Sequence, residues 1–309
     1  MKNSIIFFCA VCSLSMGGAA QAVAPTVLYD NFNASQINPA KWVGGKWSAD
    51  KANLENLRYI TMSNLKLGNR LRLYARGSGA NQSNSGKNFG SNPLNFHNPE
   101  IITAIKASVW ANSATITSCH DNPYVGTVRA RVGGTFFNTG ASATPGDNTN
   151  DVLAQIRLQR AADSSDSANV VRVRYSVFLC EDKNCFTGSD LGRGEIGSPV
   201  NPGQKVTLSV EWDKANKRFV FQRDALPAVI VPYTVSDASA PGGSFKQLQT
   251  SYYVANCTSA TPPTAAIDAY FDDIYTNSLP TSAAMKAVME ESDPRLFLYT
   301  GASGDPDGR

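Results

Sequence analysis

The chain has 309 residues, a formal net charge of +3 and 17% charged residues. That length suffices for one large domain or two small ones, and so weak a net charge gives no reason to expect nucleic acid as a partner. Two histidines and six cysteines leave little material for a zinc centre.

The first element is a targeting segment. Met1-Lys2-Asn3-Ser4 is a short positive start, Ile5 to Met16 is mainly apolar, and Ala20-Gln21-Ala22 is a small-x-small cleavage signal, so residues 1–22 read as a cleaved signal peptide. The apolar run is too short to span a bilayer, and no later segment approaches the roughly 20 residues a span requires. The expectation is a mature protein without membrane insertion, secreted or periplasmic. Cys9 and Cys12 leave with the signal; Cys119, Cys180, Cys185 and Cys257 remain and, in an oxidising compartment, allow three pairings. The tight loop CEDKNC favours Cys180 with Cys185, and elimination then leaves Cys119 with Cys257.

Along the mature chain, period-2 alternation dominates. In NRLRLYAR, Leu71, Leu73 and Ala75 oppose Arg70, Arg72, Tyr74 and Arg76; in VRVRYSVFL, Val171, Val173, Tyr175, Val177 and Leu179 oppose Arg172, Arg174 and Ser176. TVRARV, VLAQIRLQR and VTLSVEWD show the same pattern, the signature of half-buried antiparallel strands. Ala161 to Asn169 and Asp213 to Lys217 read as hairpin connections, and Gly77 to Glu100 and Asn138 to Asp151 as long polar loops. The first strong helical pattern is SAAMKAVMEE, Ser282 to Glu291, in a C-terminal tail spanning 280–309. Many short strands with almost no helix predict an all-β, two-sheet antiparallel sandwich or jelly roll over residues 23–279.

Two end motifs add a resemblance. YDNFNASQINPAKW, Tyr29 to Trp42, followed by a Leu-rich strand, and AYFDDIYTN, Ala269 to Asn277, resemble the opening and closing elements of concanavalin A-like lectin/glucanase (laminin-G-like) jelly rolls. The nearest likeness is to secreted bacterial members without assigned activity. The resemblance implies that the first and last strands pair, bringing Asp30 and Asn31 near Asp272 and Asp273.

The acidic strand AIDAYFDDIYTN admits three readings. A bulge at Asp272-Asp273 would restore the apolar register at Ile274. Asp30, Asp272 and Asp273 would offer oxygens to a structural Ca²⁺. Paired catalytic carboxylates, as in glycoside hydrolases, are the third reading, but no E-x-D-x-E run exists, and Glu211 and Asp213 lack a third acid.

The outward arginines carry the functional expectation. Arg72 with Tyr74, Arg129 and Arg131, Gln155 and Arg157, and Arg172 and Arg174 lie on strands nearly free of Asp and Glu; if these strands adjoin, they form a ligand-binding face for an acidic polysaccharide. A solvated outer face, with the arginines satisfied from elsewhere or divided between sheets, is the bland counterpart. RLRLYAR, LAQIRLQR and AYFDDIYTN are also similar to the alginate-lyase-like strands R-x-E-L-R, Q-I-H and Y-F-K-x-G-x-Y. Here Arg157 replaces the histidine, Asp272 replaces the lysine, Tyr275 comes one place early and the glutamate is absent. In a lyase Gln155 with Arg72 would neutralise the uronate and Tyr275 or Tyr74 would act as base. The expectation is therefore a non-catalytic carbohydrate-binding or surface-associated protein, with a polysaccharide lyase and a protein-binding matrix component as alternatives.

Overall fold

The computed structural model describes residues 25–44, 47–51, 54–61, 68–82, 86–258 and 261–280. The expected signal peptide and the SAAMKAVMEE helix lie outside the described residues. Among the described residues, sixteen strands form two antiparallel sheets. In chain order they are β1 (Val27–Asp30), β2 (Trp42–Val43), β3 (Trp47–Lys51), β4 (Leu54–Thr61), β5 (Arg70–Ser78), β6 (Lys87–Phe96), β7 (Ala104–Ile116) and β8 (Thr127–Asn138). There follow β9 (Asp151–Ala161), β10 (Arg172–Cys180), β11 (Gly188–Glu195), β12 (Val206–Asp213), β13 (Arg218–Arg223), β14 (Val229–Pro232), β15 (Lys246–Ala255) and β16 (Thr264–Thr276). The nine-stranded sheet runs β14-β13-β12-β7-β16-β5-β4-β3 with β1 added to β16; the seven-stranded sheet runs β11-β10-β9-β8-β15-β6-β2.

The alternation seen in the sequence sorts the faces. Leu71, Leu73 and Ala75 of β5, Ile267, Ala269 and Phe271 of β16, and Val128, Ala130 and Val132 of β8 are all buried in one core shared by the sheets. Tyr252 of β15 needs room there: a Cβ on Gly77 would lie 2.2 Å from its hydroxyl oxygen and one on Gly90 2.4 Å from its Cζ, so both positions favour glycine. An aromatic cluster closes one end, with Trp42 centred 4.5 Å from Phe96 and 5.4 Å from Phe32.

Three expectations meet their outcome here. The hairpins at Ala161–Asn169 and Asp213–Lys217 join β9 to β10 and β12 to β13. The stretch Gly77 to Glu100 is not one long loop: KNFGSNPLNF is β6, pairing β15 from Lys87 to Asn95. Its Gly, Asn and Pro content hides a strand whose Asn92 amide donates to the carbonyls of Leu57 and Tyr74 in the other sheet. Both favoured disulfides are present, Cys119–Cys257 and Cys180–Cys185.

The core also holds a cation. The Lys246 ammonium is directed at the carbonyls of Thr135 and Pro99 and sits 4.2 Å from the Phe136 ring centre. Burial pushes its pKa down to about 7, against the opposing pull of Glu100 and Asp151.

Candidate functional site

The acidic closing strand is resolved as a bulge. Asp273 takes φ +48°, a left-handed conformation Asp tolerates better than most residues, and the pairing of β16 with β7 skips between Asp272 and Tyr275. The extra residue lets Ile274 return to the core, and β1 pairs with β16 as the resemblance implied, Asp30 opposite Ile274.

The proposed calcium ligands do not come together. Asp30 turns inward, its Oδ2 accepting from Trp42 Nε1 at 2.7 Å and its Oδ1 from the Phe32 amide at 3.0 Å. Asp273 meets Lys205 Nζ at 3.0 Å and Ser108 Oγ at 3.4 Å, while Asp272 accepts from the Asp273 amide. Burial raises the Asp272 pKa. These residues do not fit a Ca²⁺ ion, which demands six to eight converging oxygens.

The arginines divide between the sheets. Arg72 and Tyr74 are on β5 of the nine-stranded sheet, whereas Arg129, Arg131, Gln155, Arg157, Arg172 and Arg174 are on β8, β9 and β10 of the other. The Arg72 guanidinium grips Asp268 of β16 through two bonds of 2.7 and 3.0 Å and donates to Tyr59 Oη at 2.6 Å; bonding to Asp268 raises its pKa. Beside it Arg70 lies over Trp110 and Tyr270, which stack at 5.5 Å. A lyase pairing Gln155 with Arg72 is thereby corrected: the two lie on the outward faces of opposite sheets, with the core between them. Tyr74 and Tyr275 are on the wrong sheet for the same reason.

On the seven-stranded sheet, register builds a different polar layer, in which Arg129, Arg131, Gln155, Arg157 and Gln159 are buried. Gln249, Arg131, Arg157, Arg174 and Glu195 stand directly opposite one another on five successive strands. The next row is Ser251, Arg129, Gln159 and Arg172, and the row on the other side is Gln247, Gly133, Gln155, Ser176 and Arg193. Adjacent strands lie about 4.8 Å apart, so the central row brings three guanidinium groups side by side. Neutral groups order them: Arg131 donates to Gln155 Oε1 at 2.9 Å, and Arg157 to Gln159 Oε1 at 2.7 Å and Ser176 Oγ at 2.9 Å. Arg129 lies 4.7 Å from the Tyr253 ring centre.

Toward the sheet edge the face opens. A cavity of about 310 Å³ is lined by Arg129, Arg157, Gln159, Arg174, Tyr175, Arg193, Gly194 and Glu195. A Cβ on Gly194 would lie 2.6 Å from Tyr175 Oη, so a larger residue there has to displace the tyrosine. A second hollow of about 190 Å³ shares Gln159, Arg174 and Glu195 with the first and continues to Arg172 and Asp166. Two of the expected ligand-binding arginines carry partners that strand patterns could not show. Arg172 is bound by Asp166 from the β9–β10 turn at 2.7 Å and by Glu195 of β11 at 3.1 Å, and Arg174 is bound by Glu195. Burial alone would raise the Glu195 pKa; its bonds from both arginines outweigh that and hold it below the usual carboxylate range. Arg193 and Glu195 were missed as site residues: β11 (GSDLGRGE) has almost no apolar alternation to mark it as a strand.

No protein-family model matches the chain, and a search of curated proteins finds no match. Solved structures do show likeness. LamAcat from Zobellia galactanivorans is similar at 11% identity over 82% of this chain and 98% of that one, with TM-score 0.35. A legume lectin-like domain from Entamoeba histolytica is similar at 10% identity over 78% and 99%, TM-score 0.31, and the alginate lyase from Klebsiella pneumoniae at 13% over 74% and 82%, TM-score 0.30. All-β, two-sheet antiparallel sandwich is the architecture of this chain in its own strand order.

Proposed function

We propose that this is an exported, non-catalytic carbohydrate-binding protein whose seven-stranded sheet receives an acidic glycan. The observation that carries this reading is the 310 Å³ cavity, whose lining gathers Arg129, Arg157, Arg174 and Arg193, with Glu195 on Arg174 and Asp190 on Arg193. Guanidinium groups match planar carboxylate and sulfate groups through paired donors, and Gln159 beside them suits sugar hydroxyls. Glycoside hydrolysis asks for two carboxyl groups flanking the scissile bond. The cavity lining supplies one, and that one is tied to two arginines. Export is supported by the leader-like residues 1–22 and by the two disulfides.

The test is retention on immobilised polyuronate and sulfated polysaccharides. Binding should weaken steeply with salt, fall in Arg193→Ala, and be indifferent to Arg72→Ala on the opposite sheet. Loss of binding in Arg72→Ala with retention in Arg193→Ala would refute the assignment. No retention on any such polymer would move the face to a protein partner, the matrix alternative.

A further inference from the structure

Away from the arginine face, the connection from β7 to β8 meets the segment after β15. Cys119 and Cys257 join them, and His120 and Asp121 follow Cys119 directly. One ligand atom from each of these four residues lies within 4.8 Å of every other. Zinc–ligand bonds of about 2.0–2.3 Å place the corners of its tetrahedron roughly 3.3–3.8 Å apart, so the cluster needs only small side-chain rotations to enclose an ion. In the disulfide state the two sulfurs are bonded to each other and cannot act as thiolate ligands.

We infer that Cys119, Cys257, His120 and Asp121 form a redox-gated site for a zinc-type divalent ion, closed while the disulfide persists and opened by its reduction. Three further features support this. The Asp121 amide already donates to Cys119 Sγ at 3.4 Å, the kind of bond that favours a thiolate there. His120 Nε2 contacts Asp121 Oδ1, with the histidine side chain 78% exposed, so both can swing without disturbing the core. A cavity of about 370 Å³ is lined by Cys119, His120, Asp121 and Tyr124 and gives a reductant and an ion a way in. The chemistry balances with a dithiol as reductant. Its two thiols become a disulfide, Cys119 and Cys257 each gain a hydrogen, and ion binding then releases a proton from each. Sulfur and imidazole donors select zinc over calcium. The two loops stay clasped in both states, by a covalent bond in one and by the ion in the other.

The full-length mature protein is reduced with a phosphine and titrated with Co²⁺, a spectroscopic stand-in for zinc. The expected result is one ion per chain with thiolate-to-metal absorption and a tetrahedral visible band, absent before reduction. Affinity should fall at least tenfold in His120→Ala and in Asp121→Asn, whose exposed side chains leave the fold intact, and the band should vanish in Cys119→Ser. Zn²⁺ should raise the melting temperature of the reduced protein. Uptake that ignores the His120 and Asp121 changes would overturn the inference. So would the absence of uptake, or a loss of near-ultraviolet dichroism on reduction that the ion does not restore.

Discussion

On the nine-stranded sheet, Arg72 reaches across to Asp268 and is walled by Tyr59, Tyr74 and Tyr270. On the seven-stranded sheet, Arg131, Arg157 and Arg174 stand in one cross-strand row that ends in a single carboxylate, Glu195. Identical strand alternation produced both. The difference lies in the neighbour that register supplies: β16 brings an aspartate to Arg72, whereas β9 brings an arginine to Arg131 and β10 another to Arg157. Like charges directly opposite one another destabilise a sheet. The first face pairs its arginine with a carboxylate on the neighbouring strand, whereas the second sets arginine opposite arginine on successive strands.

The largest effect that sharpens this contrast concerns a third cation, the inward Lys246. Below pH 7 the folded and unfolded chains both hold its proton, the folded one at a desolvation cost. Between about 7 and the ordinary 10.5 the unfolded chain keeps a proton that the folded chain has released. Stability should therefore rise with pH through that window by up to about 1.4 kcal/mol per unit. Denaturation midpoints of the wild type and Lys246→Met, compared from pH 7 to 10, check this; parallel curves would count against it.

Next comes Asp268→Ala, which strands a half-buried guanidinium and should cost about 2–3 kcal/mol in urea unfolding, with polysaccharide retention of the folded fraction unchanged. A loss of retention would erase the functional distinction between the faces. Arg174→Ala should act in the reverse sense, weakening glycan binding about tenfold, or ~1.4 kcal/mol, and flattening its salt dependence with little effect on stability. Smallest is Asp273→Asn at the bulge: its exposed contact with Lys205 contributes under about 0.5 kcal/mol, and calcium chelation should leave the melting temperature of either protein unmoved.

Much of the sandwich was legible because burial on one face writes itself as alternation, as in β5, β9 and β10. The bulge was legible too, since Ile274 arrives one place late. β6 and β11 were not, because their Gly, Ser, Asn and Pro residues carry no apolar period. The candidate site was half legible for a related reason. Outward arginines can be read strand by strand, but which sheet a strand joins depends on partners far along the chain: Arg72 meets Asp268 across a sequence separation of 196. Nothing local announces that distance, and nothing local announced that Asp166 and Glu195 would serve Arg172.

The placement of β16 has a consequence in time. It lies in the middle of the nine-stranded sheet, between β7 and β5, with β1 leaning on its end. A chain emerging from its N-terminus has β1, β5 and β7 long before the strand that joins them exists. Those strands must wait with unpaired edges, so that sheet assembles only after nearly the whole sequence has been made. Such non-local pairing makes folding slow, on the order of milliseconds to seconds, and leaves a newly made chain open until its last strand arrives.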